Sequence, residues 1–355
     1  MAISRVVLLT ESLGSNSLGR TFCLWRLARA LGWDARVIAV ASEQIWGPLV
    51  GSEFAADTQA VPRIELEATV REIGPDLLIA CKPLPASLGE ALPLARRLEL
   101  PLLLDMDDPD LEYRLSTSDP AKAIAKAIAR PRISWELRAL RRAARALPTL
   151  VSNPWLQQRY GGTIIPHVRD DLGAGAPHLS SRPSVGFVGS NKPHKGVPVL
   201  REAVALLADE GFTLTVTSEA PPDAAPWESW IGTTTLAEGQ ELIRRVDIAV
   251  IPSLDIPMAR GQLPAKLMDA MLAGRAVVTT AVPPLPWGLQ GAGIVIPTAS
   301  RAHITAALRK LADPDARARL GADARDLALA RFTVDANLAP FRRACAAAIS
   351  SGAPR

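Results

Sequence analysis

The sequence predicts an α/β protein made of two doubly wound domains facing a central cleft. Three observations predict it. The length, 355 residues at ~150 per domain, implies two domains. Short, wholly apolar strands alternate with helical stretches, the pattern of a parallel sheet covered on both faces. That series runs twice, with one break in between.

The first strand is VVLLT at 6–10. A helix follows over 19–31, with apolar spacing at Phe22, Leu24, Leu27, Ala28 and Leu31, stopped by Gly32. The next strands are ARVIAVA at 35–41, LLIAC at 77–81 and LLLD at 102–105, the last two separated by a helix over 86–98. Between 166 and 183 the pattern dissolves into Gly, Ala, Ser, Pro and His, which reads as a linker. The second series has strands at 185–188, 213–217, 248–251, 276–279 and 293–296. Helices lie near 197–208, 236–245 and 262–273, and a helical region runs from about 302 to the end. The expected domains are 1–165 and 184–333, with a tail at 334–355 packing back on the first. Ligands of such sheets bind beyond the carboxyl ends of the strands.

Composition excludes several classes. The chain is 48% apolar, enough for a large core and too much for a disordered protein. Forty basic against thirty-six acidic residues leave +4, too little for a protein devoted to nucleic acid. The cysteines, Cys23, Cys81 and Cys345, are odd in number and match no metal or redox spacing, which fits a reducing cytoplasm. The start, MAISRVVLL, lacks the apolar run of a signal peptide. The longest uncharged run, 276–300, contains Pro283, Pro284, Pro286 and Pro297 and is no membrane helix. One stretch, 122–145, is locally basic: eight Lys and Arg stand against Glu136 alone. It reads as a solvated helix face or as a peripheral contact to anionic lipid at the inner membrane face.

Two loops carry the chemistry. Gly189-Ser-Asn-Lys-Pro-His-Lys-Gly196 links a strand to a helix start with Pro198 in its first turn. Free amides there, with Lys195, would hold a phosphate. In the helix that opens after Gly261, Leu263, Leu267 and Met271 form a core stripe. Gln262, Lys266 and Asp269 form a polar one, either solvated or walling the cleft. On the N-terminal side, Asp105-Met-Asp-Asp108 follows a strand directly, so its carboxylates are either a turn cluster or an acceptor site. Trp227 and Trp230 either stack on a base or sugar or pack in the core.

GFVGSNKPHKGVPVLREA, then VDIAVIPS, then LPAKLMDAMLAGRAVVTT resemble the donor half of retaining GT-B glycosyltransferases of family four. The resemblance extends to the Gly14–Gly19 loop, LLLDMDD at 102–108, VSNPWLQQRY and IIPHV. It implies a metal-independent, hexosyltransferase-like enzyme of two Rossmann-like domains, with a UDP- or GDP-type sugar as co-substrate and no other cofactor. The acceptor would be a natural-product scaffold, a polysaccharide end or a lipid.

Site residues carry over by position. Lys195 matches the lysine that neutralises the donor diphosphate. Asp269 matches the helix carboxylate that binds ribose, where the family usually has Glu. The amides of Gly261, Gln262 and Leu263 match those around the phosphates and donor sugar. Gly14, Ser15 and Asn16 match the loop that approaches diphosphate and acceptor. Gly189, Ser190, Ser253 and Lys266 complete the expected donor set. Lys195, Gly261, Gln262 and Asp107 are the expected catalytic set, and Asn16, Lys82, Asp105, Asp107 and Asp108 the expected acceptor set. The departures are specific: the family's phosphate-binding arginine falls at Ser190, its first helix-loop carboxylate at Gly261, and its N-domain histidine within Cys81-Lys82-Pro83. Lys192 is the nearest replacement for the missing arginine in sequence. The competing readings are a nucleotide-sugar epimerase or hydrolase, and a nucleotide-sugar-binding pseudoenzyme.

Overall fold

Seven parallel strands make the first sheet: β1 (Arg5–Thr10), β2 (Asp34–Ala39), β3 (Thr58–Ala60), β4 (Leu77–Cys81), β5 (Leu102–Met106), β6 (Thr149–Val151) and β7 (Thr163–Ile164). Their order is β3-β2-β1-β4-β5-β6-β7. The computed structural model describes residues 3–40, 44–115 and 131–354. β4 and β5 are buried along their whole length, as expected of uninterrupted apolar runs under helices on both faces. Residue 41, read as the end of the second strand, lies outside the described residues, as do Lys122, Lys126 and Arg130 of the basic stretch.

The second sheet has six strands: β8 (Ser184–Phe187), β9 (Thr213–Val216), β10 (Glu228–Trp230), β11 (Ile248–Ile251), β12 (Ala276–Thr280) and β13 (Ile294–Ile296). It is also parallel, in the order β10-β9-β8-β11-β12-β13. In both sheets the winding direction reverses once, between β1 and β4 and between β8 and β11. The loops leaving the carboxyl ends of those four strands are where a doubly wound sheet offers its ligand crevice.

The chain divides into two compact units, one of residues 1–167 with 337–355, the other of 168–336. The last helix, Val334–Ser351, contributes to the first unit, where Phe341 is buried with its ring 5.8 Å from that of Trp33. Residues 168–183, read as linker, belong to the second unit. Gly175 donates its amide to the Ala273 carbonyl, and Arg169 and His178 are buried. Polar anchoring of this kind leaves no apolar periodicity, so the segment looks unstructured in sequence.

The structure decides between the two readings of Trp227 and Trp230. Trp227 and Trp230 pack against the β8–β9 core, and Trp230 Nε1 donates to Glu228 Oε2 at 3.0 Å, so they serve the core. In the helix Pro131–Ala146, Leu137, Leu140 and Ala144, at spacings of three and four, are buried. Ile133, four residues before Leu137, would continue that stripe by spacing but is 47% exposed, near Trp135 at 72%.

Candidate functional site

In the second unit the two loops at the switch point touch. Gly196 has φ 72°, and a Cβ there would run into the Pro252 carbonyl, so only glycine lets the loop after β8 lie against the loop after β11. Leu254 N donates to His194 O at 2.9 Å. Lys195 Nζ donates to Gln262 Oε1 at 3.0 Å, joining two segments that the sequence separates by sixty-seven residues. The helices that open from these loops, Val197–Ala205 and Ala265–Leu272, have no side-chain cap at their N-termini. Such ends favour anions.

The charge at this place is one-sided. Lys266, in the first turn of the second helix, points its ammonium at the face of Phe187, 3.4 Å from the ring centre. Its Nζ is buried and has no hydrogen-bond partner. Burial drives its pKa well below the ordinary lysine value; Lys195 adds to the fall and Asp269 opposes it. The His194 ring is buried, with Nε2 also unpartnered. Burial, then the charges of Lys195 and Lys192, lowers its pKa to about 4, so the imidazole is neutral at pH 7. Ser190 and Lys192 are exposed to solvent.

Several expected donor groups are already occupied. The Gly261 amide donates to Pro283 O at 2.8 Å and the Gln262 amide to Ala259 O at 3.3 Å. The first ties this loop to the one after β12 and the second closes a turn within it, which corrects the expectation that both amides face phosphate. Leu263 is core, leaving only its backbone for a ligand. Ser253 is buried, and its carbonyl accepts from Thr280 Oγ1 at 2.8 Å. The Gly189 amide donates to Thr217 Oγ1 at 2.6 Å. Asp269 Oδ1 accepts from Arg169 Nε at 2.8 Å and Gln240 Nε2 at 3.1 Å, an ion pair with little solvent access.

In the first unit, Gly14 and Asn16 are exposed and Ser15 half-buried, in a loop where the Gly14 amide donates to Ser12 Oγ at 3.1 Å. Lys82, at the end of β4, has φ 88°, a conformation unusual for a side-chain-bearing residue and maintained only where surroundings over-determine it. Three carboxylates surround its ammonium: Asp107 Oδ1 at 2.8 Å, Asp110 Oδ2 at 2.8 Å and Asp108 Oδ2 at 3.4 Å. Burial disfavours the charge of Lys82, but the three carboxylates outweigh it and hold its pKa well above normal. Asp107 is likewise buried; desolvation opposes its charge, yet Lys82, His167 and Arg20 lower its pKa, which makes it a weak base. Asp108 retains 29% side-chain exposure, the most of the three.

Asp105 does not belong with them. It is fully buried and paired with the Arg20 guanidinium, whose Nη2 lies 2.6 Å from Oδ1. Arg20 also donates to the carbonyls of Ile165 and Pro166, at 2.9 Å each. Its place at the end of an apolar strand is as the sequence reads, but a position facing inward onto a buried cation makes it structural. Among the described residues no group of three or more His, Cys, Asp or Glu could hold a metal ion.

The sequence reading missed His194, Asp110, Arg20 and Arg169. His194 stood inside the quoted loop and Asp110 two residues beyond the quoted cluster. Arg20 and Arg169 had no local signal, because their partners are remote in sequence.

Residues 182–313 match the family model described as Glycosyl transferases group 1. No curated protein matches the sequence. Among solved structures, Anabaena HepE in complex with UDP-glucose superposes with a TM-score of 0.74 at 15% identity, covering 97% of this chain and 99% of that one. Sucrose-phosphate synthase from Thermosynechococcus elongatus gives 0.70 at 14%, covering 98% and 100%. A glycosyltransferase from Rickettsia africae gives 0.66 at 12%, covering 98% of each chain. No helix among the described residues is long and apolar enough to cross a membrane. The chain thus has the two-domain, parallel-sheet fold of GT-B glycosyltransferase structures, and its second unit is similar in sequence to the Glycosyl transferases group 1 family.

Proposed function

We propose that this chain is a glycosyltransferase that moves a sugar from a nucleoside-diphosphate donor to an acceptor with retention of anomeric configuration. The observation that carries the reading is the Lys195–Gln262 contact, which sets a lysine at the switch point of the second sheet between two uncapped helix starts. As the glycosidic bond to the donor breaks, negative charge develops on the leaving diphosphate. Lys195 and the helix amides are already oriented to stabilise it, and no reorganisation is required at that moment. Asp269 holds Arg169 through Oδ1, which leaves Oδ2 for a ribose hydroxyl. The UDP-glucose complex of the HepE structure supports a uridine donor.

Calorimetric titration with UDP, GDP, ADP and dTDP tests the donor. At least one, with UDP the expected one, binds and raises the melting temperature. No binding by any of the four would overturn the reading. With a turned-over donor sugar, NMR should show the donor's anomeric configuration in the product.

The acceptor is assigned to the first unit, at the exposed Gly14–Asn16 loop and Asp108. A hydroxyl or amine of the acceptor would meet Asp108 at its solvent-exposed edge, while Lys82 and Asp107 hold the surrounding turn. Asp108→Asn should therefore lower transfer about tenfold or more, the loss of one charge-assisted hydrogen bond, with UDP affinity unchanged. Equal loss of both quantities would move Asp108 out of the acceptor site.

A further inference from the structure

We propose that Lys266 is the second cation of the diphosphate site, reaching the phosphates from beside Gly189 and supplying the charge that Ser190 lacks. It rests on the donor reading above and goes further, because it names a second side chain that meets the phosphates.

A buried ammonium is ordinarily paired or hydrogen-bonded, since stripping it of water is costly. Lys266 Nζ is buried with no hydrogen-bond partner and only the Phe187 ring against it. A Cβ placed on Gly189 would sit 3.1 Å from Lys266 Cε and Nζ, so the glycine leaves room for the lysine tip. His194 Nε2, a second unpartnered buried polar atom, is close enough for its ring to feel the Lys266 charge. The groups facing Lys266 are Lys195 and His194 from the loop after β8 and Asp269 from its own helix. Asp269 shares its charge with Arg169, so among the described residues cations outnumber carboxylates around Lys266. A site of this composition is complete only with an anion in it.

Lysine suits the role because its flexible stem can swing the amine from the Phe187 face toward the adjacent helix start. Without ligand, burial and Lys195 favour the neutral amine. An arriving diphosphate opposes that shift and favours the ammonium that pairs with it. A group whose pKa rises on binding takes up protons, so affinity falls as pH climbs from its free-state pKa toward its bound-state pKa. Measurements at pH 7.5 and above avoid the phosphate's own ionisation near ~6.

The test is calorimetry of wild type, Lys266→Met and Lys195→Ala with UDP, uridine and inorganic pyrophosphate, in buffers of different ionisation enthalpy. Wild type should bind UDP with net proton uptake. Lys266→Met should lose about tenfold or more in UDP affinity, bind uridine as wild type does, and take up no proton. Its melting temperature should be unchanged or higher, since an unpartnered buried amine has been replaced by a thioether of similar shape. Wild-type UDP affinity and undiminished proton uptake in Lys266→Met would overturn the inference. If Lys195→Ala still lost affinity, the donor reading would survive that result. If instead no nucleotide bound but pyrophosphate bound in a Lys266-dependent way, the donor reading would fail and Lys266 would stand as an anion ligand.

Discussion

Asp105→Ala is expected to destabilise the first unit by about 3–5 kcal/mol, the usual cost of leaving one member of a buried ion pair alone. Arg20 is 1% exposed and has Asp105 as its carboxylate partner; it also donates to two carbonyls. Without Asp105 the guanidinium remains in the interior with its charge uncompensated. The double variant Arg20→Met, Asp105→Leu should recover most of the loss, since well-packed apolar replacements of buried pairs are often neutral. Urea denaturation of the three proteins decides it, and a loss below ~1 kcal/mol in Asp105→Ala would show that the pair does not hold this region. The consequence for function is indirect. Arg20 ties the start of the chain's first helix, Leu18–Ala30, to β5, so the Gly14–Asn16 loop should lose its position with it.

Lys195→Ala should weaken UDP binding by about 1–3 kcal/mol, roughly 10- to 100-fold, and slow transfer by a further ~10²-fold, because leaving-group charge is greatest in the transition state. The loss is partly offset. Lys195 is the charge that most depresses Lys266 after burial itself, so its removal lets Lys266 protonate more easily. The double variant Lys195→Ala, Lys266→Met should therefore lose more affinity than the two single losses added together. Unchanged UDP affinity in Lys195→Ala would move the phosphates to another part of the second unit.

The two sheets were legible because hydrophobic periodicity is a local property. VVLLT, LLIAC and IAVI are buried on both faces, and such runs can be recognised within five residues. β3, β7 and β10, at the sheet edges, are two or three residues long and carry no such run. The loops at 189–196 and 252–264 were legible as well, because a loop that follows a central parallel strand has only one end of the sheet to occupy. Lys195 could be singled out there from its place before Gly196.

What each charge does could be decided only in three dimensions. Lys82 was legible as an acceptor-side cation, yet its three carboxylates come from a turn twenty-five to twenty-eight residues away and make it a structural hub. Asp105 and Asp108 are three residues apart and alike in sequence. One faces inward onto Arg20, eighty-five residues distant, and the other keeps solvent access. Asp269 meets Arg169 across a hundred residues. The sequence by itself determined the periodicity, hence the strands, the helices and the loops that leave them, since these depend on neighbours along the chain. The tertiary structure decided which ionisable groups are buried, paired or left without a partner. That depends on desolvation and on Coulomb interactions over a few ångströms of space, which sequence separation does not encode.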